Sequence, residues 1–297
     1  MREVKVAFVA PGQGVDDWSS GLRLLETEPG IVEPIYERIK RTTGVDIEDV
    51  GTRNELDIPT EIAQPAAVGI GYAHFKVLEA QGIRPDYAIG LSAGEFTVAA
   101  IIGSMVVEKA AIYSMRRGVS QNREAGGQGG VVIAIHRKPL DLGAIKKSAK
   151  HTYRSNVHNP IMSGFGFLNK DKGQLVEALE AQGARVKDVE SLTFPPHGRY
   201  VRQTRRELSR MLKPRTLKAA EIDMISIRNG KIINKPRQIR RSLVWQTTKT
   251  TRLDKAIQTA IDNGVEEVYP LMPGDTIAPL LGWYASKNFI KLMTSTE

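Results

Sequence analysis

The sequence predicts an α/β fold that carries a smaller inserted unit of β-α-β-β-α-β order. Three observations carry this expectation. A run of apolar and β-branched residues at 4–10 stops at Pro11-Gly12, as a buried strand does before a sharp turn. Up to residue 124, stretches with helical periodicity or helical length are interleaved with such short runs. After Gly126-Gly127-Gln128-Gly129-Gly130 the rhythm changes to short strands and short helices in the ferredoxin-like order.

Taken in order, residues 16–43 have helical periodicity, with breaks expected at Gly21 and Pro29-Gly30. Residues 59–81 form a long apolar helix stopped by Gly82 and Pro85. Residues 87–89 are a short strand, 94–102 a buried helix and 106–124 an amphipathic helix. The glycines at 126–130 read as a hinge or linker. Strands then fall at 131–135, 152–158, 161–168 and 185–189, with helices at 140–150 and 172–182. Helix returns at 198–213, followed by strands near 223–227 and 231–233, a helix at 253–263 and a strand at 266–271 that leads to Pro273-Gly274.

Composition narrows the chemistry. With 41 % apolar and 25 % charged residues over 297 positions, the chain has the makings of a globular core. It has no cysteine, which excludes disulfides, thiolate metal sites and cysteine catalysis. A nucleophile must come from Ser, Thr, Lys or a carboxylate. The five histidines are scattered, none at ligand spacing to another, so no metal site is expected. The first residues lack a signal-peptide pattern, and no stretch approaches the ~18 apolar residues of a membrane span. A cytoplasmic protein with no membrane partner is expected.

The net charge of +9 is unevenly placed. Residues 199–255 hold seventeen Lys and Arg against four acids, so the rest of the chain is slightly acidic. Such a segment attracts a polyanion: nucleic acid, a phosphorylated cofactor or an acidic protein. It is also compatible with a solvated basic face and no partner. Only Tyr200 and Trp245 supply aromatic rings there, so no base-stacking platform is visible and nucleic acid is not expected.

Gly90-Leu91-Ser92-Ala93-Gly94 lies between a strand and a helix. This is the pattern of a nucleophile elbow, in which Ser92 stands on a tight turn at a helix N-terminus and nearby backbone N–H groups can hold an oxyanion. The bland alternative is a packing turn of small residues. A serine nucleophile needs a base. His74 lies in an apolar helix and reads as a core residue. His136 precedes Arg137-Lys138 and reads as exposed. His151 and His158 flank a strand. His197, in Phe194-Pro195-Pro196-His197-Gly198, is fixed by prolines and a glycine at the junction of the inserted unit, where clefts form. It is the candidate base.

These features fall in an order that resembles the malonyl-CoA:acyl carrier protein transacylase family, which includes the acyltransferase domains of fatty acid and polyketide synthases. The resemblance rests on Pro11-Gly12-Gln13-Gly14, Gln64-Pro65, Gly90 to Glu95, Arg117-Gly118, Asn159-Pro160, Pro196-His197, Gln246 and Pro273-Gly274. It implies an α/β-hydrolase-like core with a parallel sheet (residues 1–128 and 197–297) and a ferredoxin-like small subdomain (129–196). It further implies that Ser92 attacks the thioester of malonyl-CoA with His197 as base, and that the backbone N–H groups of Gln13 and Ala93 hold the oxyanion. The main-chain carbonyl of Gln246 orients the histidine. Arg117 pairs with the malonyl carboxylate, and Gln64, Leu91 and Gln121 line the substrate pocket. The acyl group then passes to the phosphopantetheine thiol of an acidic acyl carrier protein, for which the basic segment is a fitting surface. No bound cofactor is implied; malonyl-CoA is the substrate.

The chain departs from the family pattern at several points. Leu91 stands where a histidine is usual, Ala93 is smaller than the residue often found there, and Gln121 replaces a methionine. The segment ending Phe194-Pro195-Pro196-His197 matches neither common specificity signature. A substituted malonyl group is therefore an open substrate. The alternative function is an acyl hydrolase using the same Ser-His pair to clear carrier proteins. Arg117 weighs against it, because an uncharged acyl group needs no cation.

Overall fold

The computed structural model describes residues 4–13, 17–272 and 277–293. Its strands are β1 (Lys5–Ala10), β2 (Tyr87–Gly90), β3 (Gly129–Ile135), β4 (Tyr153–Asn159), β5 (Met162–Leu168), β6 (Arg185–Asp188), β7 (Asp223–Ile225), β8 (Ile232–Ile233), β9 (Thr251–Arg252), β10 (Val265–Pro270) and β11 (Lys291–Leu292). Its α-helices are α1 (Ser20–Thr27), α2 (Pro29–Thr43), α3 (Ile47–Thr52), α4 (Thr60–Ala80), α5 (Gly94–Ile101), α6 (Val107–Ala125), α7 (Leu142–Ser148), α8 (Lys172–Glu180), α9 (Arg202–Met211), α10 (Pro236–Trp245), α11 (Leu253–Asp262) and α12 (Ala278–Ser286).

Among the described residues the first sheet has the order β11-β10-β1-β2-β7-β8. Every pairing in it is parallel except β7 with β8 at one edge. A parallel sheet is covered on both faces, which is why residues 7–10 form an unbroken buried apolar run. The two-residue period of the strand sends Phe8 and Ala10 into a cluster with Ile70 and Phe96 of α4 and α5. Ala7, Val9 and Ile89 face the opposite cluster, with Ile257 of α11 and Leu281 of α12.

The second sheet has the order β6-β3-β5-β4-β9. β3 to β6 pair antiparallel. Helices α7 and α8 close one face through Ile145, Leu175 and Leu179 against Val132, Ala134 and Phe165. The β-α-β-β-α-β order of 129–188 is as expected. β9, which comes from the C-terminal part of the chain, pairs in parallel with β4 and so crosses the expected boundary at 197.

Four expectations need correction. The glycines at 126–130 are not a free linker: Gly129 and Gly130 begin β3, and a Cβ at Gly129 would lie 1.9 Å from the Phe167 carbonyl oxygen, so glycine there lets the strands close. Gly21 does not break a helix; it sits in the first turn of α1, packed against Ile70. His136 is buried, because its ring turns inward to the Lys138 carbonyl and Ser163. Finally, α3, α10, α12 and the short β9 and β11 were not expected. Helix α10 starts with Pro236 at its first position, a start signal hidden by the basic residues that follow. The Gly14 and Pro273-Gly274 motif residues lie outside the described residues.

Candidate active site

The site lies at the C-terminal ends of β1 and β2, where a parallel sheet leaves its loops free. Ser92 follows β2 and precedes α5 with φ +51°, a left-handed conformation rare for a residue with a side chain. The turn around it is held by sterics. A Cβ at Gly94 would lie 2.4 Å from the Ala10 and Pro11 carbonyl oxygens, and one at Gly12 would lie 2.6 Å from the Leu91 oxygen and 3.0 Å from Ser92 Cβ. The two small residues therefore let the Pro11-Gly12-Gln13 loop lie directly on the Ser92 turn. Ala93 is buried at the start of α5, so its N–H belongs to the first turn of that helix. Leu91 is partly buried and packs against the cluster of Ile89 and Leu281.

Arg117 comes from the middle of α6 and is 1 % exposed, whereas its neighbour Arg116 is on the surface. Gly118 explains how it gets there. A Cβ at 118 would meet Thr60 O and Glu61 Cα at 2.7 Å, so the glycine allows α6 to press against α4 and carries Arg117 to Gln64. One Arg117 nitrogen donates to Gln64 Oε1 at 2.8 Å and another to Ser92 Oγ at 3.0 Å. Gln64 Nε2 donates to Gln121 Oε1 at 2.7 Å and to Thr60 Oγ1 at 3.0 Å, and Thr60 donates to Gln13 Oε1. Gln64 and Gln121 thus act on Arg117 as its supports. Gly118→Ala is expected to force the helices apart, with an overpacking cost of about 1–3 kcal/mol in chemical denaturation and a loss of the Arg117 position; an unchanged denaturation midpoint would show that α4 and α6 have slack.

Burial pushes the Arg117 guanidinium down to about 10, partly offset by Glu95, and leaves it a cation at neutral pH. Glu95 is fully buried one helical turn after Ser92. Burial pushes its carboxyl up to about 7, against hydrogen bonding from Ser242 and the attraction of Arg117 and Arg228. Among the described residues Arg117 Nε has no hydrogen-bond partner. The Arg117 guanidinium is thus buried beside Ser92 with an incomplete hydrogen-bond set.

His197 also has positive φ, +59°, and is 3 % exposed. Its Nδ1 lies 2.7 Å from the Gln246 carbonyl oxygen, which accepts the Nδ1 proton and leaves Nε2 free to act as a base. The Gln246 side chain reaches the other way and donates to the Ser92 carbonyl oxygen at 3.0 Å. One residue after α10 therefore ties both loops together. Burial, then the nearby Arg117, pushes His197 down to about 3, with the Gln246 carbonyl acting in the opposite sense. Ser92 Oγ takes its hydrogen bond from Arg117, and none joins it to His197 among the described residues; such contacts often tighten only with substrate in place.

The structure brings together Ser92, Arg117, Gln64, Gln121, Gln13, His197 and Gln246. His74 is a core residue whose Nδ1 accepts from the Met272 amide. Sequence reasoning missed the contacts of Thr60 with Gln13 and Gln64 and of Ser242 with Glu95; neither carries a local signal. It quoted Glu95 only as part of a motif, although its spacing of three from Ser92 places it one helical turn after that residue. Among the described residues no group of three or more His, Asp or Glu could hold a metal, and no helix is long and apolar enough to cross a membrane.

Comparison with known proteins gives a consistent result. Residues 7–269 match the acyl transferase domain family. The chain is 24 % identical over 288 residues to the malonyl CoA-acyl carrier protein transacylase of Bacillus subtilis, covering 93 % of this chain and 89 % of that one. It is 25 % identical over 245 residues to a pikromycin polyketide synthase component of Streptomyces venezuelae, covering 78 % of this chain but only 15 % of that much longer protein. Among solved structures it superposes on the malonyl CoA-acyl carrier protein transacylase of Coxiella burnetii with a TM-score of 0.89 at 19 % identity, over 98 % of this chain and 93 % of that one. A malonyl-transacylase solved with its type II polyketide synthase acyl-carrier protein gives 0.88 at 21 % identity, over 99 % and 96 % of the two chains.

Proposed function

The chain belongs to the acyl transferase domain family, and on that premise we propose that it moves a malonyl or substituted malonyl group from coenzyme A to the phosphopantetheine thiol of an acyl carrier protein. The single observation that carries the malonyl reading is Arg117, a fully buried cation whose guanidinium touches Ser92 Oγ. A carboxylate one methylene away from a reacting carbonyl matches a cation placed beside the nucleophile. A planar guanidinium can engage it with two parallel hydrogen bonds.

In this mechanism the substrate carboxylate takes over the donors of Arg117 and releases Ser92 Oγ toward His197. Ser92 Oγ attacks the thioester carbonyl while His197 Nε2 takes its proton, and the Gln246 carbonyl holds the imidazolium by Nδ1. The oxyanion is received by the N–H groups of Gln13 and Ala93. His197 returns the proton to the departing CoA sulfur. The carrier thiol then attacks the Ser92 ester, with His197 as base again, and Ser92 is regenerated. Both steps exchange an acyl group between oxygen and sulfur and need no cofactor.

The first sheet and its helices (1–128 and 197–297) fit an α/β-hydrolase-like large subdomain, and 129–196 a ferredoxin-like small one. Helix α9, which follows His197 closely, exposes Arg202, Arg206 and Arg210 while Thr204 and Leu208 face inward. This supports an acidic carrier protein as acceptor.

The test is intact-protein mass after mixing with malonyl-CoA, methylmalonyl-CoA or acetyl-CoA, followed by addition of a phosphopantetheinylated carrier protein. A malonyl adduct that moves to the carrier is the expected result. An adduct lost to water at the same rate with or without carrier would make the protein a hydrolase. Burial and the nearby Arg117 hold His197 down to about 3, so its imidazole is neutral over the working range. The acylation rate, read as CoA release, should stay flat from pH 8 to pH 5, where an ordinary histidine would lose most of its base form. An inflexion near pH 7 would contradict that flat profile and would be assigned to Glu95, which burial pushes up to about 7, only if it vanished in Glu95→Gln.

A further inference from the structure

A residue with a side chain keeps a left-handed conformation such as that of His197 only when its surroundings impose it. The residues before it are Pro195 and Pro196, whose rings lock φ at both positions. The freedom that remains is in ψ, which sets the direction of the two carbonyls. Both point at one group: Tyr153 Oη lies 2.7 Å from Pro195 O and 2.8 Å from Pro196 O and shares its proton between them. The Pro196 carbonyl is part of the peptide that ends at the His197 nitrogen. Fixing that plane limits how His197 can rotate about φ.

Tyr153 stands at the start of β4, in the second sheet, and reaches the His197 loop from there. Gly198 makes room for it. A Cβ at 198 would lie 2.0 Å from Tyr153 Cζ and 2.4 Å from its oxygen. Yet the backbone at Gly198, φ −151°, is extended and open to any residue. Glycine is needed there for the ring, not for the chain conformation. Burial pushes the phenol above its ordinary range, so it stays a donor at every working pH.

We propose that Tyr153 is a positioning residue for His197, its hydroxyl holding the Pro195-Pro196 carbonyls so that the imidazole is presented to Ser92. The inference rests on His197 being the base of the proposed acyl transfer. Tyr153→Phe keeps the ring and removes the hydroxyl. It is expected to lower kcat for malonyl transfer about tenfold while KM for malonyl-CoA stays within about twofold, because Arg117, Gln64 and Gln13 are untouched. The downfield proton resonance of His197 Nδ1, identified by its loss in His197→Ala, should broaden in Tyr153→Phe as the ring becomes mobile. Rates are taken per folded protein, checked by circular dichroism.

Gly198→Ala is the second variant. Its methyl drives the phenol away while the chain conformation is allowed, and the same fall in kcat with KM retained is expected. Wild-type kcat with an unchanged Nδ1 resonance in Tyr153→Phe, or wild-type kcat in Gly198→Ala, would overturn the proposal. So would a variant that melts earlier but turns over normally per folded molecule. If His197→Ala transfers malonyl at the wild-type rate, the base assignment itself fails, which is a separate outcome.

Discussion

Ser92→Ala is expected to gain no mass from malonyl-CoA and to transfer malonyl more slowly by on the order of 10⁴-fold or more, the loss seen when a serine nucleophile is removed from a unit that acts together. The geometry argues for a clean loss. Ser92 holds a left-handed turn locked by Gly12 and Gly94 on either side, and alanine can take the same turn. The Ser92 carbonyl keeps its hydrogen bond from Gln246, so the loop stays tied to the residue that holds His197. What the variant loses is Oγ and the hydrogen bond it accepts from Arg117. An unpartnered donor left on Arg117 costs about 1–3 kcal/mol of stability, small enough for folded protein to be compared. A malonyl adduct that persisted in Ser92→Ala would place the nucleophile elsewhere and undo the mechanism.

Arg117→Ala should reverse substrate choice. Removing one partner of a buried, hydrogen-bonded charge pair costs about 2–5 kcal/mol. Malonyl transfer should therefore fall in kcat/KM by roughly 30- to 5,000-fold. Acetyl transfer has no carboxylate to lose. It should hold or rise, because the variant also frees Ser92 Oγ from the guanidinium that occupies it in the resting site. Parallel assays with malonyl-CoA and acetyl-CoA read both changes at once. Glu95 loses its buried cation in this variant and should become more firmly protonated, since Arg117 is one of the groups that favours its charged form. Malonyl transfer at the wild-type level would show that the carboxylate sits elsewhere.

Most of the frame was legible in the residues. The apolar run at 4–10, the small residues around Ser92 and the break at Pro29-Gly30 each carry a local physical reason, and each gave the expected element. The Ser92 turn was legible because glycines at 90 and 94 mark a sharp strand-to-helix bend. The rigid setting of His197 was legible because prolines and a glycine flank it, and the structure holds it at positive φ. Elements with weak local signals were not. Helix α10 is rich in arginine, and only its buried Ile239, Leu243 and Val244 hold it to the core. His136 looked exposed beside Arg137 and Lys138, yet its ring turns inward, a choice made by the β4–β5 hairpin packed against it.

The sequence by itself determined which chemistry was available: a serine on a tight turn, no thiol, a histidine in a rigid loop and a cation one residue before a glycine. Those are properties of residue type and near neighbours, and local backbone sterics decide them. Only the tertiary structure decided how they meet. Arg117 reaches Ser92 because Gly118 lets two helices, 57 positions apart at Gln64 and Gln121, come into contact. Gln246 ties His197 and the Ser92 loop together across 49 and 154 positions of chain. Tyr153 steadies the His197 loop from another sheet. Contacts of that range follow from how layers pack to bury their apolar faces, and no short stretch of sequence contains them.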